Sequence, residues 1–429
     1  MRVLHSLEFS DMKNNLQSSI LVAVDMGSHS FRAMAAERMP SGSLRVLGVE
    51  ESSQKCCVRE GVVDNTSDAG YMLNSIIKLL GNRIRTEVCD RVFVCLGGRT
   101  MKVVSVCSSR DLVHKRDIDS LLLAKMETEC KDKIENKHPG VIVLDLIPCY
   151  YKLDGQEQDY VPTSDQRATF IEAHFNAFVG KTELFEKVQK TFQRTTLNLE
   201  KMYVRPEALM NAVASEEDME AGCAVLDFGA QTTTLTIYKG GEYLYNQVVT
   251  MGGLDVTESI EDLGISLPLA ERLKCMYGVA TAEKVKMDRR YVLTTMQGDK
   301  VAIGSIQLAN TISAKLDEIV SPLIETLNKE AHRLKVLYLT GGGSMLQGIV
   351  EYIQSKTSLK VMYGSHAAWL TLDTPDEYCM PQYASLVGTL LLAAEYSETH
   401  PPVKKYSKNK PIIDRIKDKT LELFSQTEY

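Results

Sequence analysis

Two stretches of this chain carry the same set of groups, and the set suits an anion. Residues 20–33 read Ile-Leu-Val-Ala-Val-Asp25-Met-Gly27-Ser28-His29-Ser30-Phe-Arg-Ala. Residues 223–237 read Cys-Ala-Val-Leu-Asp227-Phe-Gly229-Ala230-Gln231-Thr232-Thr-Thr-Leu-Thr-Ile. Each is an apolar run ending in Asp-x-Gly, followed by small polar residues and a second run of strand character, which predicts strand, tight turn, strand. Glycine lets the backbone approach a phosphate closely. Turn N–H groups and Ser or Thr hydroxyls donate to phosphate oxygens. An Asp at the strand end can orient the waters that a magnesium ion keeps when it binds a nucleotide. One such turn is common; two in matching contexts predict duplicated halves that close on one ligand. A third stretch belongs with them. Lys335-Val-Leu-Tyr-Leu-Thr340 runs into Gly341-Gly342-Gly343-Ser344-Met345, where bare backbone can lie flat against a base or ribose.

These motifs need strands and helices to hold them, and the hydrophobic spacing supplies candidates. Residues 20–87 read as strands followed by a helix with Leu73, Ile76, Ile77 and Leu80 on one face. Residues 91–107 predict two strands around Gly97-Gly98, and 116–130 a helix. Strands are expected at 141–152 and 168–178, and a helix at 181–195. After the second hairpin come a strand into Gly252-Gly253, helices at 254–263 and 267–277, a short hairpin at 290–303 and a long helix at 307–330. A strand at 335–340 and helices at 344–355 and 382–395 follow.

The 429 residues allow more than one sizeable core, and 44% apolar with 24% charged residues is ordinary for a globular chain. A net charge of −7 argues against bulk nucleic-acid binding. The ten cysteines are scattered without a C-x-x-C pair, so reduced thiols are expected rather than zinc or a disulfide framework. No apolar run approaches a membrane span. Residues 1–19 hold Glu8 and Asp11 and read as an extension, not a signal-peptide core. Gly180-Lys181-Thr182 resembles the end of a P-loop, but Phe175 stands where that loop needs glycine.

Residues 396–410 turn polar and basic and predict a linker. Pro411 then suits a helix start. On a wheel of about 100° per residue, Ile412, Ile413, Ile416, Leu423 and Phe424 share a stripe about 120° wide, with Asp414, Asp418 and Glu422 opposite. Such a helix on a basic tether can lie in a membrane interface, or dock on its own domain or a partner.

The order Asp-x-Gly, Asp-x-Gly, Thr-Gly-Gly-Gly resembles the phosphate-1, phosphate-2 and adenosine motifs of the actin, Hsp70 and sugar-kinase superfamily. With the tail included, the chain resembles the FtsA family of actin-like bacterial cell-division proteins over residues 20–395 and the terminal helix. Arg59-Glu-Gly61-Val-Val-Asp64, Val92-Phe-Val-Cys-Leu-Gly-Gly98 and Ala270-Glu271-Arg-Leu-Lys274-Cys-Met-Tyr277-Gly278 match family segments. The resemblance implies an α/β, actin-like ATPase fold: two lobes with duplicated cores around a nucleotide cleft, and an inserted α+β subdomain. It places the first lobe core at 20–87 and 171–220, the insertion at 88–170, the second lobe core at 221–250 and 311–395, its outer subdomain at 251–310, and the membrane-targeting helix at 411–424.

The resemblance implies ATP and magnesium as cofactors, with the magnesium held without a direct protein ligand. Asp25, Gly27, Ser28, His29, Ser30, Asp227, Gly229, Ala230, Gln231 and Thr232 would then face the phosphates and metal. Glu271, Lys274, Gly341, Gly342, Gly343, Ser344 and Met345 would face the adenosine. The same likeness implies self-association into filaments, binding to the C-terminal tail of FtsZ and to other division proteins, an anionic membrane surface contacted by the tail, and a place on the cytoplasmic face of the cell membrane at the division site. Alternatives of neighbouring type are a pilus-assembly adaptor, a small-molecule kinase and an Hsp70-type chaperone. A kinase needs a catalytic Asp and a sugar-binding set that the motifs do not offer, and a chaperone needs a β-rich domain that the segment after residue 395 does not resemble. The chain departs from the family pattern at His29, a turn residue lining the cleft, and at Ala230-Gln231, where Gln231 contacts phosphate or positions water. Val161-Pro162-Thr163 replaces a Pro-x-Gly segment, and Arg205 stands where actin and MreB carry a water-orienting Gln or Glu. An Arg cannot accept a proton, which implies at most slow hydrolysis unless the neighbouring Glu207 takes that part.

Overall fold

A computed structural model of the chain describes residues 20–52, 57–85, 91–158, 161–294 and 298–400. Residues 1–19, part of the basic linker and the helix expected at 411–424, with Ile412, Ile413, Ile416, Leu423 and Phe424, lie outside the described residues.

Two five-stranded sheets repeat one topology. In the first, the strands run in the order Asn198–Val204, Arg91–Leu96, Leu21–Met26, Phe31–Arg38, Leu44–Glu51. In the second, the order is Glu242–Val249, Thr233–Lys239, Cys223–Phe228, Val336–Thr340, Lys360–Tyr363. Both contain an antiparallel three-strand meander, and both add two parallel strands beside the meander's first strand. That first strand is central in each sheet, fully buried, and ends in the Asp-x-Gly turn. Strands buried on both faces read as continuous apolar runs, as Leu21-Val-Ala-Val and Cys223-Ala-Val-Leu do.

Helices cover these sheets with the spacing the sequence sets. Asn65 caps the helix Thr66–Ile84 by accepting the N–H groups of Ser67 and Asp68, and Leu73, Ile76, Ile77 and Leu80 point into the first core. The helix Ser305–Glu330 sends Ile312, Leu316, Ile319, Val320 and Leu323 into the second core. Each of these side chains is fully buried, and each contributes about 1.5–3 kcal/mol of apolar burial.

The inserted subdomain is an antiparallel sheet in the order Lys102–Asp117, Arg167–Lys181, Val141–Leu153, Gln156–Gln158, covered by the helix Ser120–Lys137. Its bounds differ from the expected 88–170. Arg91–Leu96 pairs with Leu21–Met26 and belongs to the first lobe sheet. At the other end, Arg167–Lys181 is a single strand, so residues after 170 stay in the insertion. The covering helix also starts later than expected, because Arg116 and Asp117 still pair with the strand at 167–181 and Asp119 is the cap.

The chain is compact from the first strand to Ala393, and a second unit begins at Ala394. The last described helix, Ala384–Thr399, runs past 396, so the first residues expected as linker are helical. Among the described residues no helix is long and apolar enough to cross a membrane.

Gly388 of this helix sits so close to the helix Arg205–Val213 that an added Cβ would lie 1.8 Å from the Ala208 carbonyl oxygen. Ala at a helix interior normally gains about 1 kcal/mol over Gly. Here the clash is with backbone, which cannot step aside. Gly388→Ala is expected to destabilise by a net of about 1–3 kcal/mol in denaturant titration; an unchanged or raised midpoint would refute that tight approach.

Candidate functional site

The two Asp-x-Gly turns, the glycine run after Thr340 and the helix Leu267–Tyr277 surround one cavity of about 530 Å³. That size is typical of a small-molecule site. The groups arrive there because strand C-terminal ends converge, the usual location of sites in open α/β sheets. Asp25 lies in register with Cys95, and Cys95 with Tyr203, so Arg205 leaves its strand at the same level. In the second sheet Asp227 lies in register with Thr340.

Arg205 organises the floor. It opens a helix just past the strand Asn198–Val204, and its guanidinium reaches both carboxylates. One N–H donates to Asp25 Oδ2 at 3.0 Å and a second donates to Asp25 Oδ1. The Ser385 hydroxyl adds a donation to Asp25 Oδ2 at 2.8 Å. Asp227 Oδ2 lies 3.8 Å from the same guanidinium. Gly97 makes room, since a Cβ there would lie 2.8 Å from Arg205 Nε. Burial pushes the Asp25 carboxyl up, but the charge and hydrogen bonds of Arg205 and the Ser385 hydroxyl outweigh it and hold it below the usual range. For Asp227 burial wins over the more distant Arg205, with Asp25 adding repulsion, and its carboxyl stays above the usual range. Burial also pushes the neighbouring Cys95 thiol up to about 12.

Glycines fix the approach of the remaining walls. Gly341 has φ +82°, and a Cβ there would meet Asp227 Oδ1 at 2.5 Å. Gly252 packs its α-carbon against the second turn, where a Cβ would lie 2.4 Å from the Gly229 carbonyl. At the opposite wall Lys274 Nζ donates to the Gly253 carbonyl and the Thr257 hydroxyl, both at 2.7 Å, and pairs with Glu271 at 2.8 Å. Burial raises the Glu271 carboxyl, yet Lys274 brings it below its usual range.

Of the residues expected at the site, Asp25, Gly27, Ser28, His29, Ser30, Asp227, Gly229, Ala230, Thr232, Glu271, Lys274, Gly341, Gly342, Gly343 and Met345 line this one cavity. Gln231 and Ser344 do not. Gln231 Oε1 accepts the Glu60 N–H at 3.0 Å, and the buried Ser344 hydroxyl donates to the Gly341 carbonyl at 2.7 Å. Glu207 also lies outside the lining and near Tyr243. Pattern reading missed the wall residues Arg32, Gly61, Gly97, Gln382 and Ser385. Arg32 pairs with Glu51 at 3.0 Å and lies over the Tyr383 ring. Gly61 sits at the tip of the hairpin Val58–Val63 and donates its N–H to Ser28 at 3.2 Å. A signal for part of this group was available, since Gly97-Gly98 closes a buried strand as the motif glycines do.

Backbone N–H groups, Ser and Thr hydroxyls and a guanidinium converge here, and that is the chemistry of an anion cradle. Magnesium fits less well. Both oxygens of Asp25 already accept from Arg205, and Oδ2 also accepts from Ser385, so they are engaged where the waters of a magnesium ion would bond.

The sequence profile described as "Cell division protein FtsA" matches residues 224–388. The protein of that name from Neisseria meningitidis serogroup B is 24% identical over 88% of this chain and 91% of its own length. The chain is similar to the FtsA family. Its relatives support an actin-like cell-division role. Among solved structures, the "PilM-PilN type IV pilus biogenesis complex" aligns at TM-score 0.62 with 18% identity, covering 87% of this chain and 98% of that one. MreB5 of Spiroplasma citri bound to ADP aligns at 0.52 with 12% identity, covering 90% and 99%. Both likenesses are to the actin-like fold.

Removing the guanidinium exposes the electrostatics of the floor. Above the ordinary carboxylate range the Asp25–Arg205 pair stabilises the fold in full, and that contribution fades as pH falls through the lowered Asp25 pKa. In Arg205→Gln, burial and the repulsion between the two carboxylates outweigh what Ser385, Arg32 and Thr340 still supply, and both are expected to rise. A raised carboxyl costs stability once ionised, so this variant recovers as pH falls. The expected deficit is about 3–5 kcal/mol at neutral pH, narrowing toward pH 5 in denaturant titrations. A deficit that does not change with pH would contradict the buried-pair assignment.

Proposed function

We propose that this FtsA-like chain binds ATP in the cleft, polymerises on the cytoplasmic face of the cell membrane at the division site, and tethers the FtsZ ring there through the FtsZ C-terminal tail. The observation that carries the nucleotide reading is the convergence of both Asp-x-Gly turns and the Gly341–Gly343 run on one cavity. In this reading the phosphates lie between the turns at Gly27–Ser30 and Gly229–Thr232. The adenosine lies against Gly342, Gly343 and Met345 on one side and the Glu271–Lys274 pair on the other. The resemblance also implies magnesium, and the floor of the cleft argues against that part. Hydrolysis is slow, because Arg205 cannot accept a proton and Glu207 does not line the cavity. A pilus-assembly adaptor shares the fold, but the family match is to a cell-division protein.

Gly342 offers a clean test. A Cβ there would meet nothing within 4 Å, and the residue lines the cavity. Gly342→Asp therefore adds a negative charge beside the ligand without disturbing packing. Calorimetry is expected to show ATP binding weakened by about tenfold or more, with the thermal midpoint unchanged. Wild-type affinity in this variant would remove the glycine run from the site.

The membrane reading rests on the tail pattern alone. Fourteen-residue helices are marginal in water, so residues 411–424 are expected to fold on lipid. Each of Ile412, Ile413, Ile416, Leu423 and Phe424 would contribute about 1–2 kcal/mol on burial, less the ordering of the backbone. A single tail then binds weakly and a filament strongly, because many tails engage together. Ile416→Asp is expected to release the protein from anionic liposomes in sedimentation while ATP affinity stays the same. Continued pelleting with liposomes would favour a tail that docks on protein instead.

A further inference from the structure

We propose that Arg205 takes the place of the divalent cation, so that this cleft holds the polyphosphate of a nucleotide without magnesium. The inference rests on the nucleotide reading above. Asp25 and Asp227 end the central strands of the two sheets and point at one spot between the phosphate turns. A hydrated cation bridging them would belong at that spot. A fixed cation is already there. Arg205 spends two of its five N–H donors on Asp25, lies 3.8 Å from Asp227, and borders the same cavity as Gly27, Ser28, Gly229 and Thr232.

Three features indicate that the placement is built rather than incidental. The Asp25 side chain is only 8% exposed and that of Asp227 10%, so both need a counter-charge in place before any ligand arrives. Ser385 fixes the Asp25 oxygen that faces Arg205. Gly97 leaves the space the arginine stem occupies. A divalent ion entering beside the guanidinium would meet like charge at short range in a partly dry cleft, where such repulsion is strong. The planar fork of Arg matches phosphate geometry and keeps its charge at every working pH.

Calorimetric titration of the full chain with ATP, in excess magnesium and in excess EDTA, decides the matter. The expected result is an affinity in EDTA within about tenfold of that in magnesium. A larger loss in EDTA overturns the proposal while leaving the nucleotide reading intact. Absence of binding in both buffers overturns the nucleotide reading and this inference with it. Arg205→Ala supplies the converse: its ATP affinity is expected to fall by about tenfold or more in EDTA and to return when magnesium is added. Equal affinity of Arg205→Ala and wild type in EDTA counts against the proposal. If Arg205→Ala does not fold, Arg205→Lys keeps the charge without the fork, and the comparison of buffers on the wild-type chain stands without either variant.

Discussion

One guanidinium between two buried carboxylates is the constraint on which the cleft depends. Asp25 and Asp227 come from different sheets and are held close to a shared cation by the strand ends that carry them. Two carboxylates facing each other in a poorly hydrated floor repel, and burial disfavours both charges. Arg205 reverses that balance for Asp25 and softens it for Asp227. Opposite charges about 4 Å apart attract by about 4 kcal/mol at the effective dielectric found near protein surfaces. That is comparable to the cost of stripping such groups of water, so the arrangement persists only because its geometry is good. The bidentate approach to Asp25, the Ser385 hydroxyl and the missing Cβ of Gly97 supply that geometry.

The same contact joins the duplicated halves. The buried cluster under the first sheet also takes in Cys223, Val225, Tyr243, Val336 and Tyr338 of the second, so apolar packing joins the halves. Short polar ties across the cleft add to that packing beside the Asp-x-Gly turns. Arg205, from the first sheet's side, reaches Asp227 of the second. The hairpin tip at Glu60 and Gly61 donates one N–H to Gln231 of the second turn and another to Ser28 of the first. These ties sit beside the cavity, above an extensive apolar core.

Local patterns were legible in the sequence because their physics is local. The strand–turn–strand units, the glycine run and the helix Leu267–Tyr277 follow from apolar runs, turn residues and spacing within a few positions. Their convergence on one cavity followed from duplication. The departures arise from non-local contacts. Gln231 was expected at the phosphates, but the Glu60 N–H needs an acceptor and takes its carboxamide. Ser344 was expected beside the adenosine, but a buried hydroxyl needs a partner and finds the Gly341 carbonyl. The insertion was bounded at 88–170 because Arg91–Leu96 and Arg167–Lys181 read as strands without saying which sheet they join. Arg205 was noticed as the absence of a base. Nothing in Val204-Arg-Pro-Glu marks it as the partner of an aspartate 180 positions away.

That last case shows what the departure means chemically. In a cleft that used a metal, the two aspartates would hold water molecules and the cation would come and go with its nucleotide. The charge of the empty site would then differ from that of the filled one by two units, and the floor would be strained whenever it was empty. A covalently attached guanidinium removes that difference. The floor keeps one fixed positive charge whether or not a ligand is bound, and it does so at the cost of the group that would activate water. Arg205 has no basic lone pair to offer a nucleophile, and it holds Asp25 ionised but occupied on both oxygens. A site built this way favours holding an anion over breaking it.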